Sequence, residues 1–218
     1  MPGYTTRELI IGVGGLDYRI RALSDLHQFA DPHHFAERYG ISSAVWGLFG
    51  QIWPSSRVMA EAMATYEIGG KRILELGCGL GLSSIVLQRR LADVTASDHH
   101  PLAESFLRHN LTQNKLLAMV YRDLSWDVPD LTLGLFNLII GCDVLYDSTH
   151  ADQLAETVLR HAAPGAEILI TDPGQGDSSL FSRSLARRGY RVVERRSRVN
   201  MKDVAPFRGK LLSYRQVA

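Results

Sequence analysis

Residues 73–84 read ILELGCGLGLSS. A short apolar run, Ile73 to Leu76, meets glycines at 77, 79 and 81 and then a segment able to open a helix. A strand, a glycine turn and a helix start form a site where a ligand approaches the backbone closely. The dinucleotide fingerprint spaces its glycines G-x-G-x-x-G, and here the third falls one position early. Glu75 stands inside the strand just before the turn, where its charge would repel a pyrophosphate. The same carboxylate suits a cationic, phosphate-free ligand.

Outward from this stretch, apolar runs and helix-length periodic segments alternate. Strands are predicted at RILELG (72–77), DVTASD (93–98), AMVYRD (118–123), FNLIIGCDVLY (136–146), AEILITD (166–172), YRVVERRSRV (190–199) and KLLSYRQVA (210–218). Helices are predicted at 80–91, 100–114, 150–162 and 178–189. Such alternation means crossover connections and a mainly parallel sheet. The inner strands are apolar throughout, as expected where helices cover both faces. No helix separates the last two strands, so they pair antiparallel. The expected fold class is α/β: a doubly wound, mainly parallel, Rossmann-like sheet of seven strands with its ligand outside the strands' carboxyl ends. Upstream, LIIGVG and LDYRIRAL, joined at Gly14-Gly15, predict a β-hairpin. A polar stretch with a short helix follows it. A further helix starts at Pro54, with Val58, Met59, Ala62 and Met63 at helical spacing.

The 218 residues suffice for one large domain. A net charge of +1 gives no global attraction to nucleic acid or to an anionic membrane. Cys78 and Cys142 have no metal-ligand spacing and form no disulfide framework, which points to a reducing, cytoplasmic setting. The N-terminal stretch has neither a signal-peptide core nor a membrane span. His33-His34 and His99-His100 are adjacent pairs without a third ligand, so they are read as loop histidines and no metal is expected.

S-adenosylmethionine (AdoMet) fits the acidic glycine turn: it carries a sulfonium and an ammonium and lacks phosphate. Asp98 ends the next strand, where a doubly wound fold places its ribose-binding acid. Asp123 is a candidate acceptor for the adenine amino group, and Trp126 a flat surface for the adenine ring. The alternatives are structural: Glu75 as a solvated strand end, Asp98 as a helix cap, Trp126 as an anchor for its loop.

QIWPSS, ILELGCGLGLSS, ASD, DLSW and CDVLYD, in that order, resemble the class I (seven-stranded) AdoMet-dependent methyltransferases, and within them the family 16, lysine-methyltransferase-like group. The resemblance covers about residues 41–218, leaving 1–40 as an N-terminal extension. It implies that Trp53 lies beside the cofactor, that Glu75, Gly77, Gly79 and Gly81 receive its methionine part, that Asp98 binds the ribose and Trp126 the adenine. It also implies that Asp143 and Tyr146 shape the acceptor site. Nucleic acid amino-methyltransferases would carry an Asn-Pro-Pro-Tyr type motif there, so no nucleic acid substrate is expected.

An acceptor amine must be neutral, yet a free lysine has a pKa of about 10.4. Cofactor charge and partial burial both lower it. Asp143 orients the amine and Tyr146 walls its channel. Cys142 has no base placed for it, so it is a small residue beside the cofactor and no nucleophile. The expected acceptor is a protein lysine. A small-molecule amine, or a non-catalytic AdoMet-binding scaffold, are the competing readings. The basic run from Arg187 to Arg198 reads as a solvated helix end and edge strand, or as a contact for an acidic partner.

Overall fold

The computed structural model describes residues 4–25, 35–41, 46–145, 150–174, 178–199 and 206–216. A two-stranded antiparallel ribbon, β1 (Thr6–Val13) and β2 (Leu16–Leu23), opens it, followed by one helical turn, α1 (Phe35–Arg38). Then come α2 (Pro54–Thr65), β3 (Arg72–Leu76), α3 (Leu82–Arg89), β4 (Asp93–Asp98), α4 (Ala103–Gln113), β5 (Val120–Asp123), β6 (Phe136–Cys142), α5 (Ala151–His161), β7 (Ala162–Asp172), α6 (Ser178–Ala186), β8 (Tyr190–Val199) and β9 (Phe207–Gln216). Strands β3 to β9 form one seven-stranded sheet in the order β5-β4-β3-β6-β7-β9-β8. β5, β4, β3, β6 and β7 run parallel, and β9 is antiparallel to both β7 and β8. The doubly wound sheet and its antiparallel end are those expected from the sequence.

Alternation along each strand sorts the core into two layers. Ile73, Leu138, Ile140 and Leu169 pack with Met59, Met63, Ile85, Val86, Phe106 and Leu107 from α2, α3 and α4. Leu74, Leu76, Ile139, Ile168 and Ile170 pack on the other face with Leu154, Val158, Phe181 and Leu185 from α5 and α6. The inner strands are largely apolar on both faces because each face has its own helix layer. The strand order reverses between β3 and β6. A crevice therefore opens at their carboxyl ends.

Two element boundaries differ from the pattern. The apolar run 136–146 stops being strand at Cys142, because Asp143 takes a left-handed backbone with φ of +56°. β7 begins at Ala162, ahead of its apolar run, where Ala162 pairs with Phe136 across a register shift. No helix among the described residues is long and apolar enough to cross a membrane.

The ribbon is fastened to the main body by two asparagines one turn apart on and just after α4. Asn110 accepts from the Arg21 amide at 2.7 Å and donates to the carbonyl of Leu80 at 3.0 Å. Asn114 accepts from the Arg19 amide at 3.0 Å and donates to the carbonyl of Arg19 at 2.7 Å. Side-chain amides thus satisfy backbone groups that a neighbouring strand would otherwise pair. Asn110→Ala would leave several of these buried groups unsatisfied, so a loss of about 3 kcal/mol is expected. Urea unfolding of the variant checks it.

Candidate active site

The glycine turn is fixed from two sides by carboxylates. Glu75, buried at 2% exposure, accepts from the Ser84 amide at 2.9 Å and from the Ser84 hydroxyl. It thereby binds a free amide in the first turn of α3, a capping role performed from a neighbouring strand. Burial pushes the Glu75 carboxyl up to about 7, against the opposing pull of hydrogen bonds from Ser84 and Ser83. Asp98, at the end of β4, accepts from the Gly79 amide at 2.8 Å and from the His100 amide at 2.8 Å. Burial raises its carboxyl, and those amides act in the other direction.

The glycines divide their work. Gly79 has φ of +54°, and a Cβ there would meet nothing within 4 Å, because the position faces open space. Gly81 has φ of +80° and begins α3; a Cβ there would strike Leu107 Cδ1. One glycine thus leaves room for a ligand and the other lets α3 pack on α4.

A cavity of about 340 Å³ lies over the carboxyl ends of β4, β3 and β6. Trp53, Gly77, Gly79, Asp98, Trp126, Cys142 and Asp143 line it, so seven of the residues nominated from the sequence converge. Glu75 and Gly81 stand behind the turn and do not line it. Asp123 is likewise outside: it pairs with His99 Nδ1 at 2.8 Å, and the other ring nitrogen meets the Tyr39 carbonyl at 2.9 Å. Burial lowers the His99 pKa, but Asp123 and that carbonyl outweigh it and the net shift is upward. Tyr146, and the first histidine pair at 33 and 34, lie outside the described residues.

Sequence reasoning missed most of one wall. Leu48, Phe49 and Gln51, just ahead of Trp53 in the chain, also line the cavity. Phe49 stacks on the His100 ring at 4.1 Å, and Trp46 leans on the same ring at 4.5 Å. This apolar cage pushes the His100 pKa down to about 3, so its ring is neutral. The signal was there in WGLFGQIW, an aromatic and glycine-rich run without helical or strand period.

Asp143 is the acid at the β6 end. Its amide donates to the Thr171 carbonyl at 2.8 Å, which ties the turn to β7. Burial pushes its carboxyl up to about 6; nearby Asp172 adds to the rise and Ser55 opposes it. Burial also raises the Cys142 thiol, and Ser83 Oγ lies 3.7 Å from its sulfur, so the thiol stays protonated and has no base beside it.

The residues present fit AdoMet. Three aspartates, Asp98, Asp127 and Asp143, line the cavity, and neither lysine nor arginine does among the described residues. A diphosphate would find no lysine or arginine there and would face three carboxylates, whereas a sulfonium and an ammonium find partners in them. Glu75 is enclosed behind the turn, where it accepts from Ser84.

Fold and cavity together are of the class I, AdoMet-dependent methyltransferase kind. A family model described as lysine methyltransferase matches residues 39–179. The chain belongs to that family. It is 29% identical over 175 residues to a calmodulin-lysine N-methyltransferase of Arabidopsis thaliana, covering 75% of this chain and 55% of that protein. It is 30% identical over 160 residues to the protein N-lysine methyltransferase METTL21A of Danio rerio, covering 68% of this chain and 72% of that one. The chain thus spans about half the length of the first relative and nearly three quarters of the second. Among solved structures, a 16S rRNA methyltransferase of T. thermophilus in complex with AdoMet and guanosine aligns with a TM-score of 0.63 at 18% identity, over 98% of this chain and 51% of that one. At that identity the likeness is one of fold.

The Glu75 carboxyl yields a pH prediction. Its pKa in the fold lies above the ordinary value of 4.5, so its contribution to stability is full below about 4.5 and is lost as pH rises through about 7. Glu75→Gln should remove that part of the pH dependence, on the order of 3 kcal/mol between about pH 4.5 and 8. Urea midpoints of both proteins across that range measure it.

Proposed function

We propose that this protein transfers a methyl group from AdoMet to the side-chain nitrogen of a protein lysine. One observation carries the reading: a single cavity joins the glycine turn, Asp98 and Trp126 to Asp143, across three adjacent strand ends. When bound, AdoMet would supply an electrophilic methyl on its sulfonium for a neutral amine, whose surplus proton would pass to solvent.

The chain's own residues do the rest. Gly77 and Gly79 open the backbone to the methionine part, the Asp98 carboxylate accepts from the ribose hydroxyls, and the Trp126 ring covers the adenine. Trp53 and the Leu48–Phe49 wall exclude water from the side facing them. Asp143 accepts a hydrogen bond from the incoming amine and fixes its approach, and positioning of this kind accounts for much of such a rate gain. Its raised pKa leaves it more readily neutral than an ordinary aspartate, so it retains the amine's proton less strongly than a fully charged acid would. Asp123 takes a structural role in this reading, holding His99 and not the adenine. Residues 1–40 act as an extension that carries the ribbon, and 41–218 as the catalytic domain.

The two named relatives act on protein lysines, which favours a protein acceptor over a small-molecule amine. No nucleic acid or membrane enters this reading, because no lysine or arginine among the described residues lines the cavity. The two free cysteines support a reducing, cytoplasmic setting.

Asp143→Asn tests the assignment, because asparagine tolerates the left-handed backbone while giving up the charge. Methyl transfer from tritiated AdoMet into lysate protein should fall about a hundredfold, a far larger loss than the few-fold weakening of AdoMet binding expected by calorimetry when one of the three carboxylates is neutralised. Undiminished transfer would remove Asp143 from the mechanism. Label confined to the low-mass fraction of the wild-type reaction would replace the protein acceptor by a small amine.

A further inference from the structure

The antiparallel end of the sheet carries cations where sheet energetics disfavours them. In the β8–β9 register, Arg196 lies opposite Lys210 and Arg198 opposite Arg208. Like charges directly across a ladder destabilise it. Strand alternation puts all four side chains on one face. Arg196, Arg198 and Arg208 are exposed and have no carboxylate partner among the described residues, while Lys210 meets Glu194 at 3.0 Å.

Protection of the sheet edge does not explain this. Arginines on the edge strand β8 would discourage pairing with another chain by themselves. Arg208 and Lys210 sit on β9, an inner strand, where they add repulsion and protect no edge.

The position of the cluster supplies the reason. Lys210 is also paired across β7 with Asp172, which is close enough to Asp143 to raise its pKa. The cations therefore occupy the cavity end of the sheet. They lie one and two strands beyond β7, at about 5 and 10 Å by ordinary strand spacing. From β6 to β8 this end of the sheet runs from an acidic acceptor mouth to a basic flank.

We propose that the face formed by Arg196, Arg198, Arg208 and Lys210 docks an acidic protein surface, holding carboxylates of the substrate beside the lysine to be methylated. This rests on the protein-lysine reading of the site and adds the substrate's character: a lysine flanked in space by aspartates or glutamates. Such a flank draws acidic partners in and aligns them, and ionic strength weakens the effect. A nucleic acid fits less well, because its phosphates would continue into a mouth walled by Asp143 with Asp172 alongside.

The test uses the full chain and a fluorescent glutamate-rich peptide with one central lysine, with a single-stranded RNA of matched charge as competitor class. Anisotropy should show peptide binding that weakens at least tenfold in R196Q/R198Q/R208Q and at about 0.5 M salt. R191Q/R195Q, which removes two cations from the opposite face of β8, should leave binding within twofold. Equal weakening by both variants, no weakening by the first, or tighter binding of the RNA would overturn the proposal. AdoMet calorimetry on each variant confirms an intact fold. This binding does not require catalysis, so a protein that binds the peptide yet labels no lysate protein would sink the methyl-transfer reading and leave the surface standing.

Discussion

The buried carboxylate of Glu75 and the Ser84 amide form the contact on which the site is built. β3 ends and α3 begins within a few residues, and a helix start leaves amides without partners. Glu75 supplies an acceptor from inside the strand. This fixes where the helix begins and so where the glycine turn must bend. Asp98 completes the arrangement from β4 by taking the Gly79 amide. Two acids on adjacent strands thus shape a glycine-rich loop, which Cys78 and Leu80 also anchor in the core. The cost is a pair of carboxyls kept in a dry setting, and both have raised pKa values in consequence.

The placement of Asp143 follows from the same sheet. β6 runs beside β3 and β7 beside β6, so the carbonyl of Thr171 is available to receive the Asp143 amide as the chain leaves the strand. The left-handed conformation at Asp143 ends β6 abruptly and sets the acid at the cavity wall. A strand continuing to Tyr146, as the apolar pattern alone implied, would have carried this position past the crevice.

The sequence was legible where its signals were periodic or chemically specific. Glycine spacing, strand-ending acids and alternating apolar runs disclosed the doubly wound, mainly parallel sheet with its antiparallel last pair, the crevice and seven of the cavity residues. Individual roles were less legible. Glu75 has the appearance of a ligand-facing acid in one dimension, and only packing shows that Ser84 takes it. Asp123 follows a strand like Asp98 does, but His99 occupies it first. The wall of Leu48 and Phe49 is set by stacking on His100, a contact 51 residues away in the chain for Phe49, and no local period announces such a contact.

The asparagine pair under the N-terminal ribbon has a consequence for how this chain behaves among its own copies. An isolated two-stranded sheet is a weak structure with two open margins, each able to recruit a foreign strand. Here the amides of Asn110 and Asn114 imitate a third strand along the β2 margin, and they come from a helix that cannot itself propagate a sheet. The ribbon is thereby terminated on that side within its own molecule, which closes one route by which neighbouring chains could add to it and grow an aggregate.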